Sequence, residues 1–136
     1  MDFYLNPSNS SARLIEEYQK YGSIVIAYDF DDTVYDFHKK GRIYTKVIKL
    51  LIDLKSINCF LICWTGQEDT DFVKSYLTEN NIPFDTINEN PPFYKSNNRK
   101  VYANAYLDDR AGLNQVYNEL TELIKFAQKD YENSNC

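Results

Sequence analysis

The acidic run Asp29-Phe30-Asp31-Asp32-Thr33 and the pair Asp108-Asp109 are the residues of this chain best suited to chemistry, with Thr65 and Lys100 between them. Carboxylates brought close together repel, and the ordinary remedy is a divalent cation with oxygen ligands. Mg²⁺ takes only one or two protein carboxylates, keeps waters, and bridges to phosphate. A phosphate would also suit the Lys100 ammonium and the Thr65 hydroxyl. A carboxylate can itself attack phosphorus and form an aspartyl-phosphate. The set points to phosphoryl chemistry.

These side chains act together only if the elements between them bring them to one edge. Ser23 to Asp29 is a nearly continuous apolar run, as expected of a buried parallel strand. Three further strands are predicted: Cys59 to Trp64, Phe84 to Ile87, and Tyr102 to Leu107. Helical spacing or capping predicts helices from Ser10 or Ser11 to Lys20, from Thr45, from Glu68 to about Asn80, and from Ala111 to Lys129. Residues 34–43 read as a hairpin or flap, and Asn6 to Asn9 and Asn88 to Asn98 as loops. The alternation predicts an α/β fold, a three-layer, doubly wound, Rossmann-like parallel sheet with helices on both faces. Ligands of such sheets bind beyond the carboxyl ends of the strands. Asp29, Thr65 and Asp108 fall there.

The totals set outer bounds. At 136 residues, 43% hydrophobic and 26% charged, the chain fits one domain with a real core. Residues 1–22 are expected to pack on a core of 23–132, with 133–136 as a frayed tail. A net charge of −5 disfavours non-specific nucleic-acid binding, although a local basic patch could still serve it. Cys59, Cys63 and Cys136 have neither metal-like nor disulfide-like spacing, and the first two read as reduced, buried hydrophobes. Met1-Asp2-Phe3-Tyr4 lacks the regions of a signal peptide, and no apolar run approaches transmembrane length. The expectation is a cytoplasmic protein with no membrane partner.

An apolar strand with Asp-x-Asp-x-Thr, a second ending in Thr, then Lys, then a strand ending in Asp-Asp resembles the haloacid dehalogenase superfamily. The four motifs span roughly residues 23 to 115 in the expected order. Asn88 to Pro91 and Arg99 to Arg110 resemble very small bacterial and phage hydrolases of that superfamily. Asp108-Asp109-Arg110 also resembles the phosphatase domain of polynucleotide kinase–phosphatases. The resemblance implies a Mg²⁺-dependent phosphatase with Asp29 as nucleophile and metal ligand. Asp31 would be the acid and base, its carbonyl contacting the metal. Thr65 and Lys100 would hold the phosphoryl oxygens, with Thr33 and Gly66 beside them; Lys95 and Arg99 compete for the Lys100 role, and its spacing to Asp108 favours Lys100. Asp108 and Asp109 would complete the metal site, with Asp109 favoured as the direct ligand. Asp32 replaces a common Gly and has no implied role; solvent is its simplest destination. Gln67-Glu68 stands where related hydrolases carry an arginine.

Larger members of that superfamily cover their substrates with an inserted cap domain. A flap and one helix use up the segment between Thr33 and Thr65, and a helix, a strand and a loop use up the next. No cap fits. The site is expected to be open, closed at most by the flap, the loop near Phe93-Tyr94, or a neighbour in a homo-oligomer. An open site suits a phosphorylated small molecule only partly enclosed, or a nucleic-acid end. Two other classes compete: a receiver-like phospho-acceptor domain, and a catalytically silent binding module. Strand order argues against the receiver, which needs its lone acceptor Asp after the third strand.

Overall fold

The computed structural model describes residues 2–134. Four short strands form one parallel sheet: β1 (Val25–Tyr28), β2 (Phe60–Cys63), β3 (Thr86–Ile87) and β4 (Ala105–Leu107). Their spatial order is β3-β2-β1-β4. The chain winds outward from β1 to β3, then crosses back to lay β4 on the other side of β1. The sheet is flanked by helices α1 (Pro7–Tyr21), α2 (Thr45–Ser56), α3 (Thr70–Glu79) and α4 (Leu113–Ser134). The Rossmann-like α/β class expected from sequence is the one observed, and no cap domain interrupts it among the described residues.

Alternation along the strands divides the core in two. Ile24, Ile26, Tyr28, Leu61, Cys63, Ala105 and Leu107 face one side, where they pack with buried residues of all four helices, including Leu14, Leu51, Leu77 and Leu120. Val25, Ala27 and Ile62 face the other, where no helix residue joins the core among the described residues. There the covering layer is the β3–β4 connection, which brings Val101, Tyr102 and Ala103 against Phe60, Trp64 and Tyr106. The expectation of helices on both faces is corrected accordingly. Three layers exist, but the third is irregular chain. Its Pro91-Pro92 start removes two backbone donors and resists helix.

Boundaries shift where side chains substitute for backbone. Asn6 caps α1 by accepting the Ser8 N–H, with Pro7 at the first helical position, so the expected Asn6–Asn9 loop is helix from Pro7. Asp69, expected in the first turn of α3, instead caps it by accepting the Phe72 N–H. β4 is shorter than expected because Asn104 takes over its start. The Asn104 side chain accepts the Val25 N–H at 2.7 Å and donates to Glu17 at 2.6 Å, while its carbonyl accepts from Arg13 at 3.0 Å. Helix α4 continues to Ser134, past the expected fraying point; Asn135 and Cys136 lie outside the described residues. No helix among the described residues is long and apolar enough to cross a membrane.

The Asn104 amide ties β1, β4 and α1 at one point. Asn104→Ala strands the Val25 N–H and should cost about 1–3 kcal/mol. Urea unfolding should show a lower midpoint at unchanged slope, and an unmoved midpoint would show that water replaces the amide without loss.

Candidate active site

The register Tyr28↔Leu107 sets the ends of β1 and β4 side by side, and the Asp29 N–H donates to the Leu107 carbonyl at 3.0 Å. Asp29 and Asp108 therefore leave adjacent strands at the same level. This is also where the chain's winding reverses, the usual ligand crevice of an open α/β sheet. Carboxylate oxygens of Asp29, Asp108 and Asp109 all lie within 4.8 Å of one another. Together with Asp31, Asp32, Phe37, His38 and Arg110 they line a cavity of about 270 Å³. A larger cavity of about 570 Å³ between α2 and the end of α3 has no convergent carboxylates. Size does not locate the chemistry here.

Half-burial, a hydrogen bond with Asp109 and the negative charges of Asp108 and Asp109 push the Asp29 carboxyl up to about 7. One or two of these hard oxygen donors binding directly, with the third acting through a retained water, suits a Mg²⁺-like cation, which would reverse the shift. The residues present fit that ion.

Thr33 is not a phosphate contact. It is fully buried, with its hydroxyl 3.3 Å from Asp29 Oδ2 and 3.4 Å from Asp109 Oδ1, and it accepts the Asp109 N–H at 3.3 Å. It positions the two acids. Asp31 lines the cavity and accepts from Gln67 Nε2 at 3.1 Å. Gln67 in turn donates its backbone N–H to the Thr65 hydroxyl at 3.1 Å. Thr65 is gripped at both backbone groups by Asn88, which accepts its N–H at 2.7 Å and donates to its carbonyl at 2.9 Å. Gly66 is exposed next to it.

Lys100 does not reach the acidic cavity. Its ammonium lies 5.1 Å over the ring of Tyr106, on the loop-covered face of the sheet. Arg110 and His38 are the basic residues lining the cavity instead. From sequence, His38 with Lys39, Lys40 and Arg42 reads as a solvated hairpin tip in preference to a substrate-steering basic flap, and Arg110 enters only through the Asp108-Asp109-Arg110 resemblance. Neither is assigned to the site, because neither ends a strand.

The expected hairpin at 34–43 is a compact loop. Asp36 accepts the N–H groups of Lys40 and Gly41, and the only pairing is an isolated Asp31–Tyr35 bridge among the described residues. Asp32 takes a left-handed backbone (φ 59°), and its N–H donates to the Tyr35 carbonyl at 2.7 Å. Its carboxylate does not point to solvent. Oδ2 lies 2.8 Å from His38 Nδ1, tethering the flap over the site. Cys59 and Cys63 are buried free thiols, which burial pushes up to about 11 and about 12, as suits inert core residues.

No protein-family model matches the chain, and no curated protein matches it. Among solved structures it is similar to a conserved protein coded by a locus of Bacteroides thetaiotaomicron. The two superpose with a TM-score of 0.60 at 24% identity, over 74% of this chain and 91% of that one. That likeness shows the fold.

The raised Asp29 carboxyl has a thermodynamic consequence. The folded chain holds a proton there up to about pH 7, whereas an unfolded Asp releases it near its ordinary 3.8. Cation-free stability should therefore fall as pH rises through that window. Asp29→Asn should flatten the fall and raise Tm by a few degrees at pH 8 in chelator, a difference that should shrink steadily on acidification toward the ordinary 3.8. Equal pH slopes for both proteins in thermal melts would refute the repulsion.

Proposed function

We propose that this chain is a Mg²⁺-dependent phosphohydrolase that acts on a phosphomonoester through an aspartyl-phosphate at Asp29. The convergence of Asp29, Asp108 and Asp109 oxygens within 4.8 Å carries the reading. The ordered motifs that resemble the haloacid dehalogenase superfamily agree with it. Bound to these carboxylates, Mg²⁺ would offset the charge of the phosphoryl oxygens and hold Asp29 ionised.

An Asp29 oxygen attacks phosphorus as the bond to the leaving oxygen breaks. Asp31, two residues on and facing the same cavity, gives its proton to that oxygen. It then takes a proton from water, which attacks phosphorus, releases inorganic phosphate and restores the Asp29 carboxylate. Gln67 and the Asn88–Thr65 clasp position Asp31 and the strand-end turn. Arg110 and His38 supply the donors nearest the incoming phosphate. Lys100 reaches phosphate only if its loop rearranges from the Tyr106 contact. With no cap, the site admits a phosphate that protrudes from a larger molecule or from a partly enclosed small one.

A receiver-like role fits less well. The third strand is the sheet edge and is followed by Asn88, a structural clasp rather than an acceptor acid.

Hydrolysis of an aryl phosphate should require Mg²⁺ and disappear in Asp29→Asn. Asp31→Asn should slow turnover roughly 10²–10⁴-fold and leave phosphate trapped on Asp29, visible by mass spectrometry. Normal turnover by Asp29→Asn would sink the nucleophile assignment.

A further inference from the structure

The β3–β4 connection combines basic and aromatic residues on one face of the sheet. From Asn90 to Leu107 it carries Lys95, Arg99 and Lys100 and no acid, a charge of +3 inside a protein of −5. None of the three cations has a carboxylate partner among the described residues. The segment is also aromatic. Tyr94 and Tyr102 stack at 4.7 Å and 24°, and Tyr106 meets Trp64 at 5.6 Å under the Lys100 ammonium. Phe93 is 72% exposed and Tyr94 39%. The loop is fastened at its base, where Asn90 accepts the Tyr102 N–H at 2.6 Å and Tyr106 donates its hydroxyl to the Val101 carbonyl at 2.7 Å.

These aromatics occupy one face of the sheet, and the strip has a direction. Trp64 immediately precedes Thr65, and Tyr106 stands two residues before Asp108, so its upper end abuts the acidic site. Phe93 and Tyr102 mark its lower end, beside a cavity of about 330 Å³ at the start of β1. Unpaired bases stack on aromatic faces while cations track the backbone phosphates. The rest of the chain carries a net −8, so a polyanion is steered to its basic stretches, residues 37–52 and this segment, and only this one pairs its cations with the Tyr94–Tyr102 and Trp64–Tyr106 rings.

We propose that this aromatic, basic face binds single-stranded nucleic acid and leads its phosphorylated end to the Asp29 cavity. Strand binding stands on its own residues; only delivery of the end rests on the phosphohydrolase reading.

Trp64 is the single tryptophan of the chain, so its emission reports directly on this face. A short oligothymidylate, titrated in chelator at about 50 mM salt, should quench that emission saturably. The fitted affinity should fall with salt, at about 0.7 logarithmic units per decade for each phosphate contact. The exposed pair Lys95→Gln/Arg99→Gln should bind roughly tenfold more weakly and lose about 1.4 of that slope. It should keep full aryl-phosphate turnover, which separates a failed strand site from a failed active site. A blunt duplex of mixed sequence should bind at least about tenfold more weakly, since its bases are not free to stack. Absence of binding, an unchanged double variant, or equal affinity for the duplex would overturn the proposal.

Discussion

The structure turns on the enforced neighbourhood of Asp29, Asp108 and Asp109. Parallel pairing of β1 with β4 is driven by apolar strands buried on both faces, and it fixes where the next residue of each strand must go. Tyr28 and Leu107 are fully buried partners, so the acids one residue on must emerge together. Core burial, worth roughly 1.5–3 kcal/mol for each large apolar side chain, outweighs the repulsion of carboxylates held a few ångströms apart. The fold thus creates an electrostatic deficit at one edge. The Thr33 hydroxyl, buried between two of the acids, shows that the chain fixes their geometry rather than letting them splay into water.

Around that edge, side chains hold backbone where ladders have ended. Asn88 clasps Thr65, Gln67 joins Thr65 to Asp31, and Asp32 joins the first motif to the flap through His38. Asp32 accepts a left-handed conformation that most L-residues avoid at a cost of roughly 1–2 kcal/mol, and which Asp tolerates better than most. A glycine there would relieve the backbone but release the flap. The flap ends as a loop pinned to the motif itself, and it can close over the cavity without any inserted domain.

The succession of strands and helices along the chain and the Asp29–Asp108–Asp109 grouping were legible in the sequence. Each rests on a local signal: apolar runs, helical spacing, and acids at strand ends. Positions decided by side chain–backbone bonds between distant segments were not. Asn104 reads as an ordinary polar residue until its amide is seen filling the place of a β4 residue against Val25. Thr33 reads as a phosphate ligand because its neighbours do, yet zero exposure removes it from any substrate. Lys100 was placed by its spacing to Asp108, and spacing carries no information on which face of the sheet a loop covers. The absent helix over the second face was hidden for the same reason, since a long connection containing Pro91-Pro92 signals only that the chain must cross.

That missing helix and the acidic edge bear on one problem. A chain of net charge −5 that concentrates carboxylates at its cavity repels phosphates at long range, and a cation held there would correct this only at close quarters. Approach therefore depends on where the positive charge sits. Arg110 and His38 stand at the cavity, while Lys95, Arg99 and Lys100 lie on the loop that covers the second face. A helix in that position would present a broad polar surface and bury the Trp64 and Tyr106 rings from solvent. The loop instead leaves those rings half-exposed beside the strand ends, with the Lys100 ammonium over the Tyr106 ring. Covering the second face with irregular chain costs the protein regular hydrogen bonds, which Asn90 and the Tyr106 hydroxyl partly restore. On the reading proposed above, what the arrangement would gain is a positive, stackable approach to a negative site.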